Sequence, residues 1–450
     1  MQAASWRSEA RTTLALAAPL IVAQVSSMGM NVVDSVIAGR ISAEALGGVA
    51  VGAAIYSFAL LICIGTLAAV SPTVAQLFGA RRFDEIVPRV RQAYYVAAAL
   101  GLLVMLICWN GHHLVAAIGV EASLREHADR FLDGIGWGGP GLAFFFALRN
   151  FADGMGRTQP GMNVAFGGLL LLIPLAIAMG LGFGPIPALG TYGLGLATAL
   201  VLWLQALALL AYLARGSYFR RFGNLLRIDR LDPAPVRALL ALGLPIAFAW
   251  MMEGGLFITV ALLMGRIGAD WAAAHQIAVN VASVAFMIPL GLAQAVTVRV
   301  GQARGAGDAP GVRRAGVVGL CLALGTQVSS ATIMLLGAAS FSALYAPDSP
   351  HLVPLVVHLM GLAAIFQISD GLQVVAGGAL RGLKETRLPM LITAFAYWGV
   401  GFPLAYTLGF AWHMGGPGLW IGFIAGLSVA ALLLMWRFFT LSRRLLDGAG

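Results

Sequence analysis

Charge is what this chain has least of. Only 10% of its 450 residues are charged and 60% are hydrophobic, with a mean hydropathy of +0.87. A soluble domain is about 25% charged. Too few polar side chains exist here to cover a water-facing surface, which argues against a soluble enzyme, a nucleic-acid binder or a disordered chain. Lysine is almost missing, Lys384 being the single one, so the net charge of +9 rests on arginine. A nucleic-acid partner would need a basic patch interleaved with aromatics on a soluble fold, and none is expected. Basic loops of an integral membrane protein account for the same charge better. Cysteine is scarce too: Cys63, Cys108 and Cys321 each sit in an apolar run, too far apart for metal-ligand spacing. All three are expected to be buried small hydrophobes. Enzyme signatures are missing, with no HExxH, GxSxG, P-loop or CxxC, and glycine-rich stretches such as GAGD lack a strand–helix frame for phosphate. Neither an enzyme nor a cofactor is expected. The opening MQAASWRSEARTTL is followed by no short apolar stretch with a small-residue cleavage site, so no cleaved signal peptide is read.

What is present is a series of long apolar runs. A membrane helix needs about 20 apolar residues. Twelve candidates follow one another at about 14–38, 46–76, 94–109, 131–151, 161–181, 192–213, 238–264, 271–298, 317–336, 352–380, 390–410 and 419–436. With the N-terminus inside and strict alternation, 24 of the 28 basic residues fall on inside loops and tails, leaving Arg40, Arg125, Arg130 and Arg266 outside. That asymmetry predicts cytoplasmic termini, and an error of one span would scramble it.

The chain repeats itself. Pro19 to Gly39-Arg40-Ile41 recurs as Pro245 to Gly265-Arg266-Ile267 at an offset of 226, and Val74, Gln76, Gly79 and Ala80 recur as Val300, Gln302, Gly305 and Ala306. Further on, Gly154, Thr158 and Met162 recur as Gly382, Thr386 and Met390 at an offset of 228. The expected organisation is an N-terminal six-helix lobe at 1–214, a basic cytoplasmic linker at 215–237 and a C-terminal six-helix lobe at 238–450. Parallel repeats of this kind are a transporter architecture, with the path between the lobes.

Three acids lie within spans: Asp34 in the first, Glu253 in the seventh and Asp370 in the tenth. A carboxylate at bilayer depth costs ~2.5–3.5 kcal/mol on insertion scales. No basic residue is read near them, so they are expected to face the bundle interior and to bind a proton or a metal cation. Glu253 and Asp370 could share a Na⁺ site if further oxygens converge there. Asp34 has Asn31 one turn away, with Gln24, Ser26 and Ser27 upstream. Asp153 is expected in a loop ion pair with Arg149 or Arg157, and Asp133 to be solvated. His275 is expected at the interface. His358 is read as a packing residue, with a proton relay as the sharper alternative. Trp250, Met251 and Met252 flank Glu253, Phe257 lies one turn beyond it, and Gln276 places an amide near the start of the eighth span. Such side chains suit flat organic cations, and Trp250, Phe257, Gln276, Asn31 and Phe366 are expected to line the substrate path.

The residues resemble those of the multidrug and toxic compound extrusion (MATE) transporters, in particular their NorM-like bacterial branch. In the first half the resemblance rests on PLIVAQVSSMGMNVVDSVIAGRISAEALGGVAVG and SPTVAQLFGARRFDEI. In the second it rests on LGLPIAFAWMMEGGLFITVALL, AHQIAVN, RVGQARGAGD, IFQISDGLQVVAGGALRGLKETRLPM and AYWGVGFPLAYTLG. It covers nearly the whole chain. It implies an all-α integral membrane protein, twelve helices in two pseudo-symmetric six-helix lobes around a central cleft. It further implies a monomer in a bacterial inner membrane that exchanges cationic drugs or metabolites for H⁺ or Na⁺. By the same resemblance Asp34 is the first-lobe acid, Glu253 and Asp370 the second-lobe cation site, Phe257 the nearby aromatic and Gln276 a polar cleft residue. Two departures stand out. Phe366 occupies a place where relatives often carry Tyr, which removes a hydroxyl, and Leu172 and Ala176 stand where relatives often carry Asn. This loss of oxygens tilts the coupling toward H⁺. The alternative within the wider superfamily is a lipid-linked-precursor flippase, which would need a more basic cleft.

Overall fold

The structure, a computed structural model, describes residues 5–117, 119–184, 187–345, 347 and 349–448. Its crossings are α1 (Trp6–Ile41), α2 (Ala43–Gly79) and α3 (Phe83–Trp109), then α4, a bent pair of Ala122–Gly136 and Gly139–Gly154 meeting at 50°. There follow α5 (Gln159–Gly182), α6 (Gly190–Arg215), α7 (Pro233–Ile267), α8 (Ala269–Gly305), α9 (Ala309–Tyr345), α10 (Pro350–Gly382), α11 (Arg387–Ala411) and α12 (Gly415–Leu446). Among the described residues, eleven helices are thus long and apolar enough to cross a bilayer, and the bent pair makes twelve. Each contains one of the expected spans. The helices overrun the apolar windows because the backbone ladder continues past the hydrocarbon until a cap stops it. α7 opens with Pro233, whose missing N–H costs nothing in a first turn, and α12 closes with Arg443 and Arg444 against its negative end.

The duplication is written in the backbone. Four helix ends carry the same cap, in which a left-handed residue lets the next N–H reach back five residues. Arg82 donates to the Leu77 carbonyl, Arg157 to Ala152, Asp308 to Ala303 and Glu385 to Leu380, at 2.9–3.0 Å. The left-handed residues are Arg81 (φ 58°), Gly156 (φ 76°), Gly307 (φ 71°) and Lys384 (φ 61°). At the repeat offsets Arg81 pairs with Gly307 and Gly156 with Lys384, so each pair has one glycine and one cationic residue in the same turn. Ile173-Pro174-Leu175-Ala176 recurs as Phe402-Pro403-Leu404-Ala405, and both are followed by a widened π turn, Ile177–Gly182 and Thr407–Ala411. The second half adds another π segment, Phe395–Gly401. A proline alone does not account for it, because the residues before the equivalent Pro174 keep ordinary α turns.

Contacts divide the chain at places the repeat does not indicate. One compact unit comprises the described residues of Met1–Ile21 and Phe248–Gly450, and the other comprises Val22–Ala247. The cuts fall inside α1 and α7 rather than at the 215–237 connector. The start of α1 is tied into the first of these units by Glu9, which accepts two 2.8 Å bonds from Arg299 of α8. The start of α7 joins the other, where Gly243 lets its backbone close on Thr66 of α2. The connector belongs to that same unit, fastened to α3 by Arg91, Gln92 and Tyr95. Within the units α10 packs on α8, α9 and α12, and α4 packs on α2, α3 and α6. The repeat-equivalent helices therefore hold equivalent central positions, and both carry charge.

A candidate cation site on α7, α10 and α11

α10 brings Asp370, Gln373 and Arg381 onto one face. A spacing of three lies within one turn, and a spacing of eleven is close to three full turns. Asp370 is 3% exposed, with its Oδ1 buried and without a hydrogen-bond partner. Glu253 of α7 is partly exposed. It accepts a hydrogen bond from the Gln373 amide and interacts electrostatically with Asp370 and with Arg381. Among the described ion pairs none joins Arg381 to Glu253, and the guanidinium lies 5.9 Å from the centre of the Trp250 ring. The extra π segment of α11 contributes Tyr397, fully buried, whose hydroxyl also has no partner and which interacts with both carboxylates. Next to it, the Trp398 indole donates to the Met252 carbonyl at 3.3 Å, holding α11 against the turn that carries Glu253.

Three buried oxygens here, Asp370 Oδ1, Gln373 Oε1 and Tyr397 Oη, thus lack partners. Each such atom costs about 1–3 kcal/mol when left dry, and a proton or a cation is a partner that would offset that cost. Oxygen donors of this kind suit a proton or a hard cation. Among the described residues no group of three or more His, Cys, Asp or Glu forms. A bound metal ion would therefore rest on two carboxylates and neutral oxygens.

The unit Val22–Ala247 is built differently. Asp34 is 4% exposed, and the Thr198 hydroxyl lies 3.0 and 3.1 Å from its two oxygens. Asn31 is exposed and does not join it. Deeper in the sequence, Arg149 (2% exposed) faces Asp153 (4% exposed), Nε to Oδ2 at 3.6 Å, and Arg149 also donates to Gln24 at 3.2 Å. Asp153 therefore does pair with Arg149, but as a buried pair and not in a loop.

Other expectations are corrected by packing. Phe366 is 1% exposed and locked among Phe257, Trp420 and Phe423, with ring centres 4.9–5.8 Å apart, so it is core. Phe257 sits partly buried at the edge of that cluster. His275 is buried rather than interfacial, its Nδ1 accepting from the Trp420 indole at 3.2 Å. Gln276 is exposed and spends its amide on Asn280 at 3.0 Å. His358 is exposed rather than packed, and Asp133 is exposed as expected. Cys63 and Cys108 are buried, but Cys321 is exposed on α9. The reading that no basic group lies near the acids fails for Glu253, which interacts electrostatically with Arg381 of α10. A hydroxyl missing at Phe366 is matched by one from Tyr397. The signal available was the Asp-x₂-Gln-x₇-Arg spacing on α10.

The chain matches the MatE family profile twice over, at residues 19–178 and 245–407, each match starting at a repeat-related proline. A "probable multidrug resistance protein NorM" of Xanthomonas campestris pv. campestris is 44% identical over 445 residues, covering 98% of this chain and 96% of that protein. Another protein of that description, from Xylella fastidiosa, is 43% identical over 444 residues, with 98% and 94% covered. Among solved structures, a eukaryotic MATE transporter, AtDTX14, superposes with a TM-score of 0.88 at 20% identity, covering 99% and 100% of the two chains. The outward-facing conformation of a multidrug resistance MATE family transporter does so at 0.87 and 18% identity, covering 98% and 97%. The paired profile matches starting at Pro19 and Pro245, and the NorM relatives alignable almost end to end, place this chain in the MatE family.

Proposed function

We propose that this protein is a secondary active multidrug efflux antiporter, driven by H⁺ or Na⁺ bound at Glu253 and Asp370. The carrying observation is the pair of neighbouring carboxylates with unpartnered oxygens around them and no closed ion pair to arginine. Binding of a cation neutralises the pair and lowers the cost of enclosing it, which favours one state of the transporter. Binding of a cationic drug favours the other. Coupling needs only that each ligand bind the two states unequally. One charge crossing 100 mV supplies ~2.3 kcal/mol, enough for substantial concentration of a drug. The partly exposed Trp250, Phe257 and Met252 would offer aromatic and thioether surface to flat cations. We place the protein in a bacterial inner membrane as a monomer with both termini cytoplasmic, the side on which 24 of 28 basic residues fall under alternation.

Arg381 gives the flippase reading one observation of its own, since a half-buried guanidinium can hold a lipid phosphate. Its electrostatic interaction with Glu253 favours a counter-charge role instead. The deciding experiment is transport in proteoliposomes with Na⁺ and H⁺ gradients imposed separately. Drug-driven flux of one ion that disappears in Glu253→Gln and Asp370→Asn is expected. Drug efflux unchanged in both variants would remove the proposal.

A further inference from the structure

The segment between α6 and α7 is not an ordinary loop. Both neighbours cross the bilayer, so the segment must run along a membrane surface. It is strapped down on one side. Arg91 donates to the Asn224 carbonyl at 2.9 Å and to Asp229 at 2.7 Å, and Tyr95 donates to the Asp229 carbonyl at 2.6 Å. Gln92 donates to the Arg230 carbonyl and accepts from the Asp232 N–H, both at 2.9 Å. Phe219 and Leu225, each under 5% exposed, fill the inner face.

The outer face is fixed by the same bonds, and its composition is unusual. Leu226, Ile228 and Leu231 are 62%, 80% and 57% exposed, outside every spanning helix. Between and beside them stand the exposed Arg220, Arg221, Arg227 and Arg230. The two acids of the segment are committed: Asp229 to Arg91 and Arg227, Asp232 to the N–H of Ala234 at the start of α7. An aliphatic and arginine face held by a rigid strap would be penalised in water. It is matched by the boundary between acyl chains and headgroups.

We infer that this connector is a seat for anionic phospholipid of the surrounding bilayer. Leu226, Ile228 and Leu231 enter the acyl boundary, and Arg220, Arg221, Arg227 and Arg230 hold the headgroup phosphates. The inference does not depend on what is transported or on the coupling ion. Each arginine near an anionic surface strengthens association roughly fivefold, and the effect is screened by salt.

The test uses the full chain in lipid nanodiscs. In a Cys321→Ser background, which removes the exposed thiol, a spin label is placed at Ile228→Cys, with Leu336→Cys on α9 as the lipid reference and Glu121→Cys as the water reference. In phosphatidylglycerol bilayers the label at 228 should collide with oxygen in preference to a nickel chelate, as at 336. A nickel preference like that at 121 overturns the immersion. Native mass spectrometry then compares phosphatidylglycerol with phosphatidylcholine retained by the protein. The unsubstituted chain should prefer phosphatidylglycerol, and that preference should fall more than about tenfold in the variant with all four arginines changed to glutamine. Should that variant misfold, the unsubstituted chain alone decides, since its preference must weaken in high salt. Equal retention of both lipids, or displacement of phosphatidylglycerol by inorganic phosphate, overturns the assignment, as does masking of the label at 228 by a soluble protein in place of lipid.

Discussion

The two compact units share a backbone plan and differ in how they treat buried charge. Helix caps recur at the offsets of 226 and 228, and the proline of α5 and α11 and the π turn after it recur at 229 and 230. The acids do not. Glu253 falls on Ser27, Asp370 on Leu142, and Asp34 on Val260, while Arg381 falls on Asp153. In the unit Val22–Ala247 the acids are matched locally, Asp34 by a hydroxyl and Asp153 by an arginine four residues back. In the other unit Glu253 and Asp370 act on each other, Arg381 interacts with Glu253 without closing an ion pair to it, and an additional π segment adds an unpartnered hydroxyl. Duplication copied what the backbone needs for itself. The buried charges diverged because each depends on a few side chains that change without disturbing the hydrogen-bonded helix.

That contrast can be broken most directly by neutralising acids in each unit. Asp370→Asn or Glu253→Gln should reduce efflux of a fluorescent cation to background. Asp34→Asn, whose amide can still bond Thr198, should leave most of it. Equal losses in both units would erase the distinction. The next largest effect concerns stability. Arg149→Met should cost about 3–5 kcal/mol by stranding Asp153, read as a large drop in melting temperature in detergent. The double change with Asp153→Leu should recover much of it, while efflux follows folded protein.

Smaller effects sharpen the second unit. Arg381→Gln should strengthen binding of the coupling cation several-fold, because a like charge is removed beside it. Tyr397→Phe should weaken cation binding several-fold, yet leave melting unchanged or slightly raised, since its hydroxyl is unpartnered. Isothermal titration with Na⁺ and proton-uptake measurements distinguish the two. The smallest effects lie in the caps. Arg81→Gly and Lys384→Gly should each stabilise by about 1 kcal/mol, and Gly156→Ala and Gly307→Ala should destabilise by a similar amount, because only glycine enters the left-handed region freely.

Much of this molecule was legible from composition and pattern. Twelve apolar runs, the basic asymmetry and the recurring prolines and glycines gave the spans and the duplication, since a bilayer forces backbone satisfaction within each helix. Glu253 and Asp370 were visible because acids in apolar runs are costly. Arg381, Gln373 and Tyr397 were not, as each reaches the acids from another turn or another helix. Phe366 and His275 were misplaced for the same reason: whether an aromatic or imidazole ring faces a site or a core depends on which helices pack against it.

Sequence alone therefore determined how many times the chain crosses, that it does so as two copies, and which carboxylates lie within the crossings. These follow from local hydrogen bonding and from the transfer cost of single residues. Tertiary structure decided which oxygens were left without partners, where the compact units divide inside α1 and α7, and which face of the connector points outward. Those depend on contacts between residues far apart in the chain, which no local pattern encodes.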